Sequence, residues 1–345
     1  MTAPPAPVGV GLIGAGWIGS FHGESLARRV PGARLVAVAD PAPGAAHRLA
    51  DRLGVPAART DPAELIEDPE VEAVVIASPA TTHAELVVAA AGAGKAVFCE
   101  KPMAVRLADA DRAVAAAGSA GVPLQVGFNR RFAPDFVAAY EVVAGGGIGT
   151  PRQLRSLTRD PGGFDPAAVR PGTIFLETLI HDFDTLRWLN PGAAVTEVYA
   201  VADALVEPQW RDRGLLDTAT VLLRFDNGAI GIAEACFEAA YGYDVRGEVF
   251  GSAGMVTAGS TRATGMTAYG RDGRSARTVR SNVELFHGAY TAELAAFVHC
   301  VRTKETPPVT GADARAALAV AVAAAESVRA GRPVRLADVG GWVGG

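Results

Sequence analysis

Cysteine is nearly absent. The three in 345 residues, Cys99, Cys236 and Cys300, are odd in number and far apart, which excludes a disulfide framework and a thiolate metal cluster of ordinary spacing. A surplus of positive charge is also missing. Lys and Arg number 32 against 37 Asp and Glu, a net charge of −5, and they form no basic stripe. A nucleic-acid-binding surface is therefore not expected. Long apolar runs are lacking as well: the nearest approach, Ala312–Val328, is broken by Asp313, Arg315 and Glu326, so no membrane-spanning helix is expected. Met1–Pro7 has no charged leader before the first strand-like run, and a cytoplasmic setting is expected. Charged residues amount to only 20%, against 49% in the apolar set. That composition excludes a disordered chain and suffices for a large core spread over about two domains.

What is present is organised in two styles. Strand-like runs at Val8–Ile13, Leu35–Ala39, Val71–Ala77, Ala96–Cys99 and Leu124–Val126 alternate with helical stretches at Trp17–Arg29, Gly44–Leu53, His83–Ala91 and Leu107–Ala117. Continuous apolar strands alternating with helices predict a doubly wound parallel sheet covered on both faces. After a helix at Pro134–Val143 and a Gly145-Gly146-Gly147 stop, the pattern changes. Gln153–Thr158, Val195–Val201, Thr218–Arg224, Ala229–Ala235 and Tyr243–Phe250 alternate apolar and polar residues. They predict an antiparallel sheet with one open face, which suits self-association. A helix over Phe175–Leu189 interrupts them, and Gly288–Arg302 and Ala312–Ala330 are helical again. The expected division is a first domain at 1–128, a second domain at 129–330 whose open sheet suits oligomerisation and whose C-terminal helices pack back on the first, and a tail at 331–345.

The most specific motif is Gly14-Ala15-Gly16-Trp17-Ile18-Gly19, after the first strand and opening the first helix. Gly14 permits the tight turn, Gly16 admits a pyrophosphate to the backbone, and Gly19 lets helix and strand approach. The helix N-terminus supplies N–H groups to phosphates. Asp40, ending the second strand, can accept hydrogen bonds from both ribose hydroxyls and repel a 2′-phosphate. NAD is expected in preference to NADP. Ser78, Pro79, Thr82 and His83 follow the third strand on the same ligand edge, with Thr82 placed to cap the next helix.

Glu100-Lys101-Pro102 follows the fourth apolar strand. A lysine at that edge can hydrogen-bond a substrate hydroxyl and stabilise its developing charge. Glu177, His181 and Asp184 are spaced to share a helix face, where a neutral imidazole can act as general base and a carboxylate can orient it. A surface ion cluster is the alternative. A metal site is not expected, because no second His or Cys stands at ligand spacing. Asp160 is a polar candidate after the strand at Gln153–Thr158, or a turn residue in Asp160-Pro161-Gly162-Gly163.

Taken together, these residues resemble the glucose–fructose oxidoreductase / inositol 2-dehydrogenase (Gfo/Idh/MocA) family. The resemblance rests on the glycine loop with Asp40, Ser78-Pro79 with His83, Glu100-Lys101-Pro102, Gly127-Phe128-Asn129-Arg130-Arg131-Phe132, and His181-Asp182-Phe183-Asp184 before Arg187-Trp188-Leu189. It implies a Rossmann domain, a second α/β domain with a large open sheet that commonly makes a dimer or tetramer, and a substrate site between them. It implies NAD-dependent oxidation of a secondary hydroxyl of a cyclic polyol or sugar, or the reverse. The alternatives are a sugar or amino-sugar ketoreductase and a non-catalytic NAD sensor. Lys101 and His181 fall on the family's catalytic pair, and Glu177 falls where the inositol branch usually has Asp. Gly14, Gly16, Trp17, Ile18, Gly19, Asp40, Ser78, Pro79, Thr82, His83, Glu100 and Lys101 are expected at the cofactor. Asn129, Arg130 and Asp160, with Lys101, Glu177 and His181, are expected at the substrate.

Overall fold

The computed structural model describes residues 6–163, 167 and 169–339. The end of the expected tail, residues 340–345, lies outside the described residues. The chain separates into two compact units, Met1–Asn129 with Gly288–Arg315 and Arg130–His287 with Ala316–Gly345.

The first unit contains β1 (Val8–Ile13), α1 (Trp17–Arg28), β2 (Ala33–Ala39), α2 (Ala45–Leu53), β3 (Ala57–Arg59), α3 (Pro62–Ile66), β4 (Ala73–Ile76), α4 (Ala80–Gly92), β5 (Ala96–Cys99), α5 (Leu107–Ala120) and β6 (Leu124–Val126). Its strands form one parallel sheet in the order β3-β2-β1-β4-β5-β6. The order reverses beside β1, which places the ligand crevice at the carboxyl ends of β1 and β4. β1, β4 and β5 are buried along their whole length, as unbroken apolar runs require when both faces are covered. Val10, Leu12, Val38, Val75 and Phe98 share a core with Leu294, Phe297 and Val298, which lie on α8 (Asn282–Thr303).

Two short elements escape the sequence pattern. β3 has three residues, and the five-residue α3 is stabilised by Asp61, whose side chain accepts from Ala63 N–H. One expectation is corrected. Helix α4 starts at Ala80 with Pro79 as its N-cap. Thr82 therefore lies inside the first turn and caps nothing; its hydroxyl donates to Pro79 O at 2.8 Å.

The second unit contains α6 (Pro134–Ala144), β7 (Pro151–Arg159), α7 (Leu179–Trp188), β8 (Val195–Asp203), β9 (Thr218–Phe225), β10 (Ile230–Cys236), β11 (Asp244–Gly251), β12 (Met255–Ala258), the small hairpin β13 (Ala268–Gly270) and β14 (Gly273–Ser275), and β15 (Val334–Arg335). The seven-stranded sheet runs β12-β11-β7-β10-β9-β8-β15. Its pairings are antiparallel except β7–β10, which is parallel. The sheet is thus mainly antiparallel, as expected, with one parallel pairing that alternation alone does not reveal, because alternation reports which face a residue occupies and not which strand lies beside it.

One face of this sheet is covered by helices. A Cβ on Gly247 would lie 3.2 Å from Phe136 of α6 and 3.8 Å from Leu189 at the end of α7. The other face exposes Tyr199, Val201, Leu222, Ile230 and Phe250. On α9 (Gly311–Ala330), Ser327 Oγ accepts from Ala200 N–H at 3.0 Å, fixing the helix to β8. Among the described residues no helix is long and apolar enough to cross a membrane.

Candidate active site

The three loop glycines meet different surroundings. Gly14 lies at φ 101°, and a Cβ there would stand 2.5 Å from the Ala77 carbonyl oxygen. A Cβ on Gly19 would collide with the Gly14 carbonyl. Gly16 meets nothing within 4 Å and is the N-cap of α1, with no side-chain cap. The first-turn N–H groups of α1 therefore suit a phosphate. Trp17 is exposed at the start of α1, and Ile18 packs toward the core. Asp40 Oδ2 accepts from Ala15 N–H at 2.7 Å and Oδ1 from Ala42 N–H at 2.8 Å. The carboxylate is thus fixed beside the loop, with lone pairs left for a ribose.

Two neighbouring loops are tied together by His83. The buried ring places Nδ1 2.8 Å from Pro102 O and Nε2 2.8 Å from Ser78 O. Ser78 Oγ and Thr82 Oγ1 are 2.7 Å apart. The Lys101–Pro102 peptide is cis, and Lys101 is half-buried. Glu100 lies under this turn, with Oε2 accepting from Lys101 N–H at 3.1 Å and Oε1 2.6 Å from His22 Nε2. Burial pushes the Glu100 carboxyl up, but the hydrogen bond and charge of His22, then the charges of Lys101 and His83, outweigh it and hold Glu100 below its usual range. Glu100, expected at the cofactor, is only 5% exposed.

In the second unit α7 is preceded by a π-helical turn, Ile174–Thr178, closed by Leu179 N–H donating to Ile174 O. Glu177 is exposed on that turn, and His181 is half-buried on α7. The wider turn changes the angular step between them, so the uniform helix face expected from spacing does not extend through both. Asp184 leaves that face for the interior. It receives Arg131 Nε at 2.9 Å and Nη2 at 2.6 Å. The same guanidinium stands 5.8 Å from the ring of Trp188, which stacks on Tyr140 at 4.5 Å.

Asp182 is fully buried. Arg130 Nη1 (2.7 Å), Ser156 Oγ (2.6 Å) and Thr158 Oγ1 (2.7 Å) converge on it. Arg130 also donates through Nη2 to Thr158 Oγ1 at 2.5 Å. Arg130, expected to face substrate, is instead directed into the join between α7 and β7. Asn129 is also buried, at the start of a short 3-10 turn.

Asp160 is half-buried just beyond β7, with its N–H donating to Cys236 O at 2.9 Å. Tyr243 is the candidate that sequence reasoning missed. Arg159 pairs with Asp244 across β7–β11, so Tyr243 falls beside Asp160. Burial, followed by the charge of Asp160, pushes the Tyr243 phenol far up, against a smaller opposing effect of Arg130. Only the strand register reveals this neighbour, and the sequence does not print a register.

A cavity of about 810 Å³ opens at the other edge of the first sheet, lined in part by Glu72, Lys95, Pro123, Lys304 and Thr310. None of the expected site residues lines it.

A family model described as the oxidoreductase family with an NAD-binding Rossmann fold matches residues 8–128, and one described as the GFO/IDH/MocA C-terminal domain matches residues 136–257. The chain belongs to the Gfo/Idh/MocA family. It is similar to the myo-inositol 2-dehydrogenase of Thermotoga maritima, at 41% identity over 96% of this chain and 99% of the relative. It is also similar to the scyllo-inositol 2-dehydrogenase (NAD(+)) of Bacillus subtilis, at 38% identity over 94% and 95%. Among solved structures, scyllo-inositol dehydrogenase from Lactobacillus casei with bound NAD(H) and scyllo-inositol superposes with a TM-score of 0.92. That pair shares 26% identity over 96% of this chain and 100% of the other.

As a Gfo/Idh/MocA member, the chain has an NAD-binding Rossmann domain followed by a domain with a mainly antiparallel seven-stranded sheet. It is an inositol 2-dehydrogenase-like, NAD-dependent oxidoreductase acting on CH–OH groups. The donor set of the first unit fits a dinucleotide. Gly16 leaves its backbone open, the helix cap is unfilled by any side chain, and Asp40 is held beside the loop.

Proposed function

We propose that the chain oxidises one secondary hydroxyl of an inositol-type cyclic polyol, or reduces the corresponding ketone, with NAD as cofactor. The observation that carries this reading is the glycine loop with Asp40 fixed beside it, in a chain 41% identical to a myo-inositol 2-dehydrogenase. Asp40 favours NAD because its charge opposes a 2′-phosphate.

NAD+, when bound, supplies the hydride acceptor. His181 takes the hydroxyl proton, and Lys101 donates a hydrogen bond to the same oxygen and steadies its negative charge. Glu177 orients His181 or binds a neighbouring hydroxyl. It is exposed, on the π-helical turn that precedes α7. Asp160 and the neutral Tyr243 phenol offer an acceptor and a donor to more distant hydroxyls. Arg130 acts from behind, by holding Asp182 and with it the start of α7.

The test is reduction of NAD+ and NADP+ against a panel of inositols, hexoses and aminocyclitols, with Lys101→Ala and His181→Ala alongside. The expected result is turnover of an inositol with NAD+, and a loss of roughly 100-fold or more in each variant with NAD still bound. Full turnover in either variant removes that residue from the mechanism. NAD binding without turnover on any compound replaces the enzyme by a sensor.

The open sheet face supports self-association as a homodimer or homotetramer. Tyr199 and Leu222 are cross-strand partners on it, and Val201, Ile230 and Phe250 extend the apolar surface. Sedimentation should give a multiple of 35.4 kDa, and Leu222→Glu should reduce it to the monomer.

A further inference from the structure

Behind the lysine turn, within the first unit, three ionisable side chains are buried together. His22 comes from α1, Glu100 from the end of β5, and Glu293 from α8. One ligand-type atom of each lies within 4.8 Å of the other two. Phe21, Phe98 and Tyr290 ring His22 at centroid distances of 5.4–6.2 Å among the group. The surroundings are therefore apolar, and solvent cannot offset charge there.

The two carboxyl groups are not equivalent. Glu100 receives His22 and the Lys101 N–H. Neither oxygen of Glu293 has a hydrogen-bond partner, although the residue is 0% exposed. Among the described residues, the charged or titratable groups facing this cluster are His22 on α1, Cys99 at the end of β5 with Glu100 and Lys101 after it, His83 on α4 and Tyr290 on α8. None of them donates to either carboxyl oxygen of Glu293. Two carboxylates this close, with donors for one, cannot both be ionised in an apolar site.

We infer that Glu293 holds a proton in the folded protein, and that this neutral carboxyl group is what lets Glu100 remain ionised beneath Lys101. Glu293 is then a positioning residue for the proposed lysine, and the inference rests on that reading of Lys101 only for its functional consequence. Burial and the Glu100 charge both act in the same direction, pushing the Glu293 carboxyl well above its ordinary value.

The sign of the effect on stability follows. In the unfolded chain Glu293 is an ordinary carboxyl that is ionised above about pH 4.5. The folded form keeps one proton more, so its stability falls as pH rises from there until folded Glu293 also ionises. Each pH unit costs about a tenfold change in the folding equilibrium. Gln in place of Glu293 imitates the protonated group and removes that slope. Unfolding of the native protein and Glu293→Gln should be compared between about pH 5 and pH 9. The expected result is a variant more stable than the native protein, with a gap that widens with pH. A constant gap or parallel curves overturn the inference.

A second measurement does not depend on the variant folding. The infrared spectrum of the native protein at mildly alkaline pH should contain the carbonyl stretch of a protonated carboxyl group, shifted by isotope-labelled glutamate. Its absence overturns the inference, as does stoichiometric divalent metal in the purified protein, since a cation there requires Glu293 to be ionised. A failed Lys101→Ala assay leaves both readouts standing, so the two readings are separable.

Discussion

The two units each bury acidic side chains but neutralise them differently. In the second, Asp182 and Asp184 are each answered by an arginine, and Asp182 also by two hydroxyls. In the first, Glu100 is answered by a histidine and a backbone N–H, and Glu293 by no group that donates to it. A guanidinium fork fixes geometry as well as charge, whereas a bound proton fixes charge alone. The arginine pairs join α7 to β7 and to the turn after β6. The proton-balanced cluster gathers α1, the lysine turn and α8 around the Glu100 carboxylate, which leaves its balance sensitive to pH.

The largest expected effect comes from breaking the arginine side. Asp182→Ala leaves Arg130 buried at 3% exposure without its carboxylate, and should cost about 3–5 kcal/mol of unfolding free energy, measurable by urea titration. Glu293→Gln sharpens the contrast because its expected sign is opposite: removing a carboxyl from the first cluster stabilises the fold. The smallest change is Arg131→Lys. A lysine keeps the charge but cannot fork onto both oxygens of Asp184, so one charged hydrogen bond is lost, worth about 1.5–3 kcal/mol. A loss near zero would mean that charge alone, without the fork, holds Asp184.

Much of the first unit is legible because continuous apolar strands and a glycine loop are local signals. Gly14, Gly16 and Gly19 can be read from position, and the structure gives each a separate physical reason. Short elements are harder: Ala57–Arg59 has too few residues to display a period, and α3 depends on its Asp61 cap. Thr82 carries the chemistry of a cap, but Pro79 occupies the capping position three residues earlier. In the second unit alternation identifies faces, yet partners follow from register. This is why the parallel β7–β10 pairing and the Asp160–Tyr243 neighbourhood were out of reach. Buried charge is the least legible feature. Asp182 and Glu293 stand in helices among polar and apolar neighbours alike, and nothing in their immediate sequence distinguishes them from solvated acids.

The parallel pairing of β7 has a consequence for how the polypeptide assembles. Gln153 has Ile230 on one side and Phe250 on the other, so the first strand of this sheet to leave the ribosome has no partner until much later strands emerge. The consecutive strands β8, β9 and β10 can zip as a meander by short-range closure, while β7 must be captured across a long intervening chain. Such closures are slow relative to local ones. Until then β7 is an unsatisfied edge, open to pairing with the same strand of another chain. Synthesis halted before β10 would therefore release a product prone to aggregate, although it carries the complete glycine loop and the lysine turn.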